Sequence, residues 1–76
     1  MEISVPYLGE VEEVTLVRWL KGPGLWVVAG EAGAEVEADK AVFVIEAPAA
    51  GRIAQVLVPQ GEKTRPGAAI GRLEPP

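Results

Sequence analysis

The 76-residue chain contains no cysteine, no histidine and no asparagine. Without cysteine there is no disulfide and no thiolate metal site. Without histidine there is no Ser-His-Asp or Cys-His nucleophile and no imidazole ligand. Hydroxyl side chains are scarce as well: Ser4, Tyr7, Thr15 and Thr64 are all there are. These absences remove thiolate and imidazole chemistry from the chain's own residues. Few heat-labile residues is a composition compatible with a thermophilic source, and in so short a chain equally with chance. Basic residues are outnumbered, seven against eleven acidic, for a net charge of −4. That is the wrong sign for neutralising phosphates, so no nucleic-acid partner is expected. No apolar run approaches the ~20 residues of a membrane span. The N-terminus lacks the basic-then-apolar order of a secretory signal. The expectation is a soluble intracellular protein.

The length allows one domain. A domain this small buries only about 60% of the surface its unfolded chain exposes. With 49% hydrophobic residues, it must fold on its apolar core alone. Nine glycines and seven prolines interrupt the chain every few residues. No apolar pattern at helical spacing survives between them. What lies between are short runs rich in Val, Ile, Leu and aromatics: Val14–Leu20, Leu25–Ala29, Ala41–Ala47, Arg52–Val58 and Ala68–Leu73. Such runs, bounded by turn residues, read as strands of a small sandwich or barrel. Glu35-Val36-Glu37 adds an alternating stretch.

An internal repeat runs through the chain. Gly24 and Gly30 enclose five residues, as do Gly61 and Gly67. A shift of 37 positions superposes the two pairs and places Leu16 on Ile53, Trp19 on Val56 and Val36 on Leu73. Coincidence in a glycine-rich chain is one reading. The other is two similar halves about a pseudo-two-fold axis. The expected core is Leu16, Trp19, Val36, Phe43, Ile45, Ile53, Val56 and Leu73. Trp26 is expected to be partly buried, and Gly61-Glu62-Lys63-Thr64 lacks the glycine before lysine that a phosphate loop requires.

Lys40 falls between the halves, in Glu37-Ala38-Asp39-Lys40-Ala41, with apolar stretches on both sides. The context predicts a hairpin tip that holds an amine in water. A solvated surface lysine is the ordinary reading of any such residue.

The landmarks in one register resemble the lipoyl domain of the dihydrolipoyl acyltransferase component of 2-oxo acid dehydrogenase complexes. Glu37-Ala38-Asp39-Lys40-Ala41 is similar to the attachment motif Glu-Thr-Asp-Lys-Ala. Pro6-Tyr7-Leu8-Gly9-Glu10 resembles the family's Pro-x-Leu-Gly-Glu. Glu13 to Leu20 resembles Glu-Gly-Thr-Ile-Val-Lys-Trp-Leu, and Ala47-Pro48-Ala49-Ala50-Gly51 matches Ala-Pro-x-x-Gly. Ala38 stands for Thr, Leu25 for Asp, Gly33 for an apolar core residue, and Val44 at a position often held by Glu; Gly22-Pro23 makes an unusual loop.

The resemblance implies an all-β fold, a flattened barrel or sandwich of two antiparallel sheets with quasi-two-fold symmetry. It implies a lipoyl domain over 1–74 and the start of a Pro-rich linker at 75–76. It further implies lipoic acid in amide linkage to Lys40, with Glu37, Asp39 and Ala41 helping partners recognise the hairpin. The implied partners are a lipoate ligase or lipoyl transferase, a thiamin-dependent 2-oxo acid decarboxylase, an acyltransferase core and dihydrolipoyl dehydrogenase. The resemblance also implies a domain that is non-catalytic by itself and part of a dihydrolipoyl acyltransferase. The implied compartment is bacterial cytoplasm, ahead of mitochondrial matrix. A biotinyl carrier and an unmodified scaffold of the same fold are the competing readings. Biotin attachment typically uses Met-Lys-Met, whereas Asp39 and Ala41 flank Lys40 here.

Overall fold

The structure is a computed structural model describing residues 1–76. It contains eight strands and no helix. They are β1 (Glu2–Ser4), β2 (Val14–Trp19), β3 (Trp26–Val27), β4 (Ala32–Ala38), β5 (Ala41–Glu46), β6 (Gly51–Val56), β7 (Lys63–Thr64) and β8 (Ala69–Glu74). They form two four-stranded antiparallel sheets, in the orders β1-β8-β6-β3 and β5-β4-β2-β7.

The repeat expected from the sequence is present in the backbone. A shift of 37 residues carries β2 onto β6, β3 onto β7 and β4 onto β8. The sheet orders are then the same order, with β1 in the place of β5. Irregularities repeat too. The register slips between Leu16 and Arg18 in one sheet and between Ile53 and Gln55 in the other. The turn glycines Gly24, Gly30, Gly61 and Gly67 all have φ between 84° and 89°, a region in which only glycine is unstrained. Their amides do matching work: Gly24 N–H donates to the Ile53 carbonyl and Gly61 N–H to the Leu16 carbonyl, both at 2.7 Å. Each half therefore uses its turn to grip the central strand of the other.

Side chains alternate across each strand, and the inward set of both sheets makes one core. Thirteen buried apolar residues form it, among them Ile3, Val14, Leu16, Val36, Ile45, Ile53, Ile70 and Leu73. Five of the eight expected core residues are buried: Leu16, Val36, Ile45, Ile53 and Leu73. Trp19 and Phe43 are half-buried against the cluster, and Val56 is half-buried. The Trp19 indole reaches the waist between the halves, where its Nε1–H donates to the Val58 carbonyl at 2.9 Å.

Two expectations are corrected, and two strands are added. The run Leu25–Ala29 is a strand only at Trp26–Val27. It pairs with just two residues of β6, because the positive-φ glycines on either side end it. Trp26, expected to be partly buried, lies on this edge strand and is 57% exposed. The strands β1 and β7 were not expected. Their three and two residues are too few to show a period, and pairing with β8 and β2 defines them.

Candidate functional site

β4 and β5 are joined by two residues, Asp39 and Lys40, with Ala38 paired to Ala41 across the turn. Both turn residues have positive φ, 48° at Asp39 and 66° at Lys40, and no other non-glycine residue does. Positive φ at both central positions defines the tight hairpin turn whose twist suits the flanking strands. Asp is enriched among the non-glycine residues that adopt this conformation. Lysine is not, and glycine or asparagine would be the unstrained choice at position 40. Backbone strain of this kind concentrates at functional positions.

The turn is stiffly held. Ala38 immediately before it is buried, and the strand pair runs unbroken from Ala34↔Ile45 to the tip. The Lys40 side chain is exposed and takes part in no hydrogen bond or ion pair. The structure thus fixes the backbone of Lys40 and leaves its amine free. An amine in that setting can be acylated without breaking any contact in the fold.

Glu37 and Asp39 are also exposed and unpaired. Glu37 faces Thr15 on one side and Val42 on the other. Nearby, Lys63 approaches Glu13 at 3.6 Å, and Arg18 pairs with Glu35 at 2.9 Å. Ala41 is exposed and opens β5. Glu37, Ala38, Asp39, Lys40 and Ala41 are therefore brought together at one tip. Other lysines are differently placed. Lys21 is paired with Glu31 at 3.3 Å, and Lys63 with Glu13.

The Glu31 clamp is a feature the sequence did not reveal. Its carboxylate accepts the Val28 N–H at 2.9 Å as well as the Lys21 ammonium. The Val28 amide, then Lys21, hold its pKa below the usual carboxylate value. The charged form locks the loop before β4.

Residues 1–73 match the family model described as "Biotin-requiring enzyme", the biotin/lipoyl attachment family. The chain belongs to that family. Among solved structures, this attachment domain is similar to the lipoyl domain of the 2-oxoglutarate dehydrogenase complex from Azotobacter vinelandii, with a TM-score of 0.77 and 29% identity, over 97% of this chain and 95% of that one. It is 42% identical over 74 residues to the dihydrolipoyllysine-residue acetyltransferase component of the pyruvate dehydrogenase complex of Zymomonas mobilis. It is 35% identical, also over 74 residues, to the succinyltransferase component of the 2-oxoglutarate dehydrogenase complex of Bartonella vinsonii. Those alignments cover 96% of this chain but only 16% and 18% of the relatives. The attachment domain thus spans less than a fifth of their length. Its all-β architecture of two antiparallel sheets is that of a lipoyl domain.

Proposed function

We propose that this domain is a lipoyl carrier, with lipoate joined by an amide to Lys40. The observation that carries the reading is the turn itself. A lysine is held in a strained backbone conformation at a two-residue tip, with its amine unpaired. Relatives named for their dihydrolipoyllysine residue support lipoate as the group, and Asp39 and Ala41 beside the lysine argue against biotin.

The group supplies two sulfurs for acyl and electron transfer, which this cysteine-free chain lacks. The chain's own task is presentation. The stiff β4–β5 pair holds the amine out in solvent. Amide formation removes one positive charge, taking the chain from −4 to −5. With that charge gone, Glu37 and Asp39 leave the tip acidic. We assign them, with Ala41, to recognition of the hairpin by the attaching ligase or transferase. The further partners are a 2-oxo acid decarboxylase, an acyltransferase core and dihydrolipoyl dehydrogenase, between which the tethered group moves at high effective concentration. The carrier unit is residues 1–74, the cytoplasm of a bacterium its setting, and the domain catalyses nothing alone.

Intact mass after incubation with lipoate, ATP and a lipoate ligase tests the assignment. One lipoyl adduct is expected on the wild type and none on Lys40→Arg. An adduct at Lys21 or Lys63 in that variant overturns the site. A biotinyl adduct formed by a biotin ligase, with no lipoyl adduct, overturns the cofactor.

A further inference from the structure

β5 is the edge strand of its sheet, and its outward face carries two valines directly after the attachment turn. Val42 is 55% exposed and Val44 49%. They alternate with Phe43 and Ile45, which face the core. Natural edges ordinarily carry charge on such positions. Nothing in the fold covers these two. Their cross-strand neighbours are Glu37 and Glu35, and the Glu35 carboxylate is turned away to Arg18. Beyond Val44 the edge opens into a cleft of about 270 Å³ between β5 and β1, lined by Ser4, Pro6, Val44, Ile45 and Glu46.

We infer that Val42, Val44 and the cleft beside Pro6 form a resting site for the acyl arm on Lys40. The inference rests on the lipoyl reading. Length is the first argument. Position 44 lies four residues from the lysine, roughly 13 Å along a strand. A lipoyl-lysine has roughly eleven bonds between its Cα and the dithiolane ring, about 14 Å when extended. The ring therefore reaches Val44 and the cleft mouth and no farther. Chemistry is the second. The arm beyond its amide is methylenes and a C3S2 ring, with no charge to keep hydrated. Val42 is placed under the methylenes, and Val44 with Pro6 under the ring. A water takes about 30 Å³ of liquid volume, so the cleft has room for a five-membered ring. Tethering is the third. An attached ligand samples its site at millimolar effective concentration, so two valines suffice to populate the contact. They are too few to withhold the arm from a partner.

The test compares methyl and backbone-amide NMR spectra of the unmodified and lipoylated 76-residue chain, with the adduct at Lys40 verified by mass. The expected result is perturbation of the Val42 and Val44 methyls several-fold above that of Leu25, with cross-peaks to ring protons and a shift at Ser4. In Val42→Thr/Val44→Thr, which keeps β-branching, the same adduct should form while the Ser4 shift falls at least by half. A lipoyl adduct at Lys40 with perturbations confined to residues 39–41 overturns the resting site and leaves the carrier reading intact. Absence of an adduct at Lys40 overturns the carrier reading, and the resting site with it.

Discussion

Trp19 lies so close over Gly71 that a Cβ added there would sit 2.7 Å from its Cη2. The pseudo-symmetric pair is Val56 and Ala34, a smaller side chain matched with a larger one. The halves have exchanged volume at this contact, and their backbones still superpose by the 37-residue shift.

Gly71→Ala should therefore destabilise the domain by about 1–3 kcal/mol through overpacking. The Gln55 carbonyl, 3.1 Å from the added Cβ, gives no escape. Trp19→Val in the same chain should recover part of the loss. Urea melts of both singles and the double give the coupling.

Gly33 should behave in the opposite way. It is buried in β4, and an added Cβ would meet only the Ile45 carbonyl, at an ordinary 3.7 Å. Gly33→Ala restricts the unfolded chain without strain in the folded one. A gain of about 0.4–1 kcal/mol is expected, read as a higher urea midpoint at unchanged slope.

At the tip, Lys40→Gly should stabilise the domain by about 0.5–1 kcal/mol by relieving the positive-φ cost. Lys40→Ala should change stability by less than about 0.5 kcal/mol, since no contact is lost. Neither variant should accept lipoate. Thermal melts paired with intact mass check both statements. A large loss for Lys40→Ala would show that the lysine holds the fold.

In the core the cost should follow burial. Leu16 is fully buried, and Leu16→Ala should cost about 2–5 kcal/mol. Phe43 is only half-buried, so Phe43→Ala should fall below the ~3–5 kcal/mol of a fully buried ring. Denaturant midpoints rank the two.

Glu31 sets an acid limb. Its folded pKa is depressed, chiefly by the Val28 N–H and then by Lys21. Its contribution is therefore present above the ordinary carboxylate pKa of 4.5 and is lost as pH falls through the lower folded value. Glu31→Gln should lower stability at pH 7 and flatten the decline below pH 4.5. A melting series across that range checks the sign.

Much of this fold was legible because its turns are marked by glycine and its strands by β-branched residues. Gly24, Gly30, Gly61 and Gly67 gave the repeat, and Leu16 and Ile53 gave its two centres. The sequence concealed whatever depends on partners. β1 and β7 are strands only by virtue of β8 and β2. Ala34, Ala38 and Ala47 are buried, and alanine carries no periodic signal of its own. Phe43 is among the bulkiest apolar side chains, yet it lies on an edge strand, which leaves part of it uncovered. The place of Lys40 at an exposed hairpin tip was legible from its neighbours. The paired positive φ values, the exposure of Val42 and Val44, and the Glu31 clamp needed coordinates, because each is set by backbone geometry and packing that residue type does not announce.

The pseudo-symmetry also separates the Lys40 turn from the chain ends. The Lys40 tip adjoins the start of β2. The end of β2 meets the segment after β6 through Trp19 and Val58. The start of β6 adjoins Glu74, and Leu73 is hydrogen-bonded to Met1. Tip, waist and termini thus follow one another along the 35 Å long axis. The folded body holds the Lys40 turn at one pole and the termini at the other. In the proposed carrier, a body turning about Glu74 sweeps the end of the lipoyl-lysine through a radius on the order of 50 Å, of which the arm supplies about 14 Å. Stiffness in two small sheets thereby becomes working distance, and a looser barrel of the same composition would shorten it.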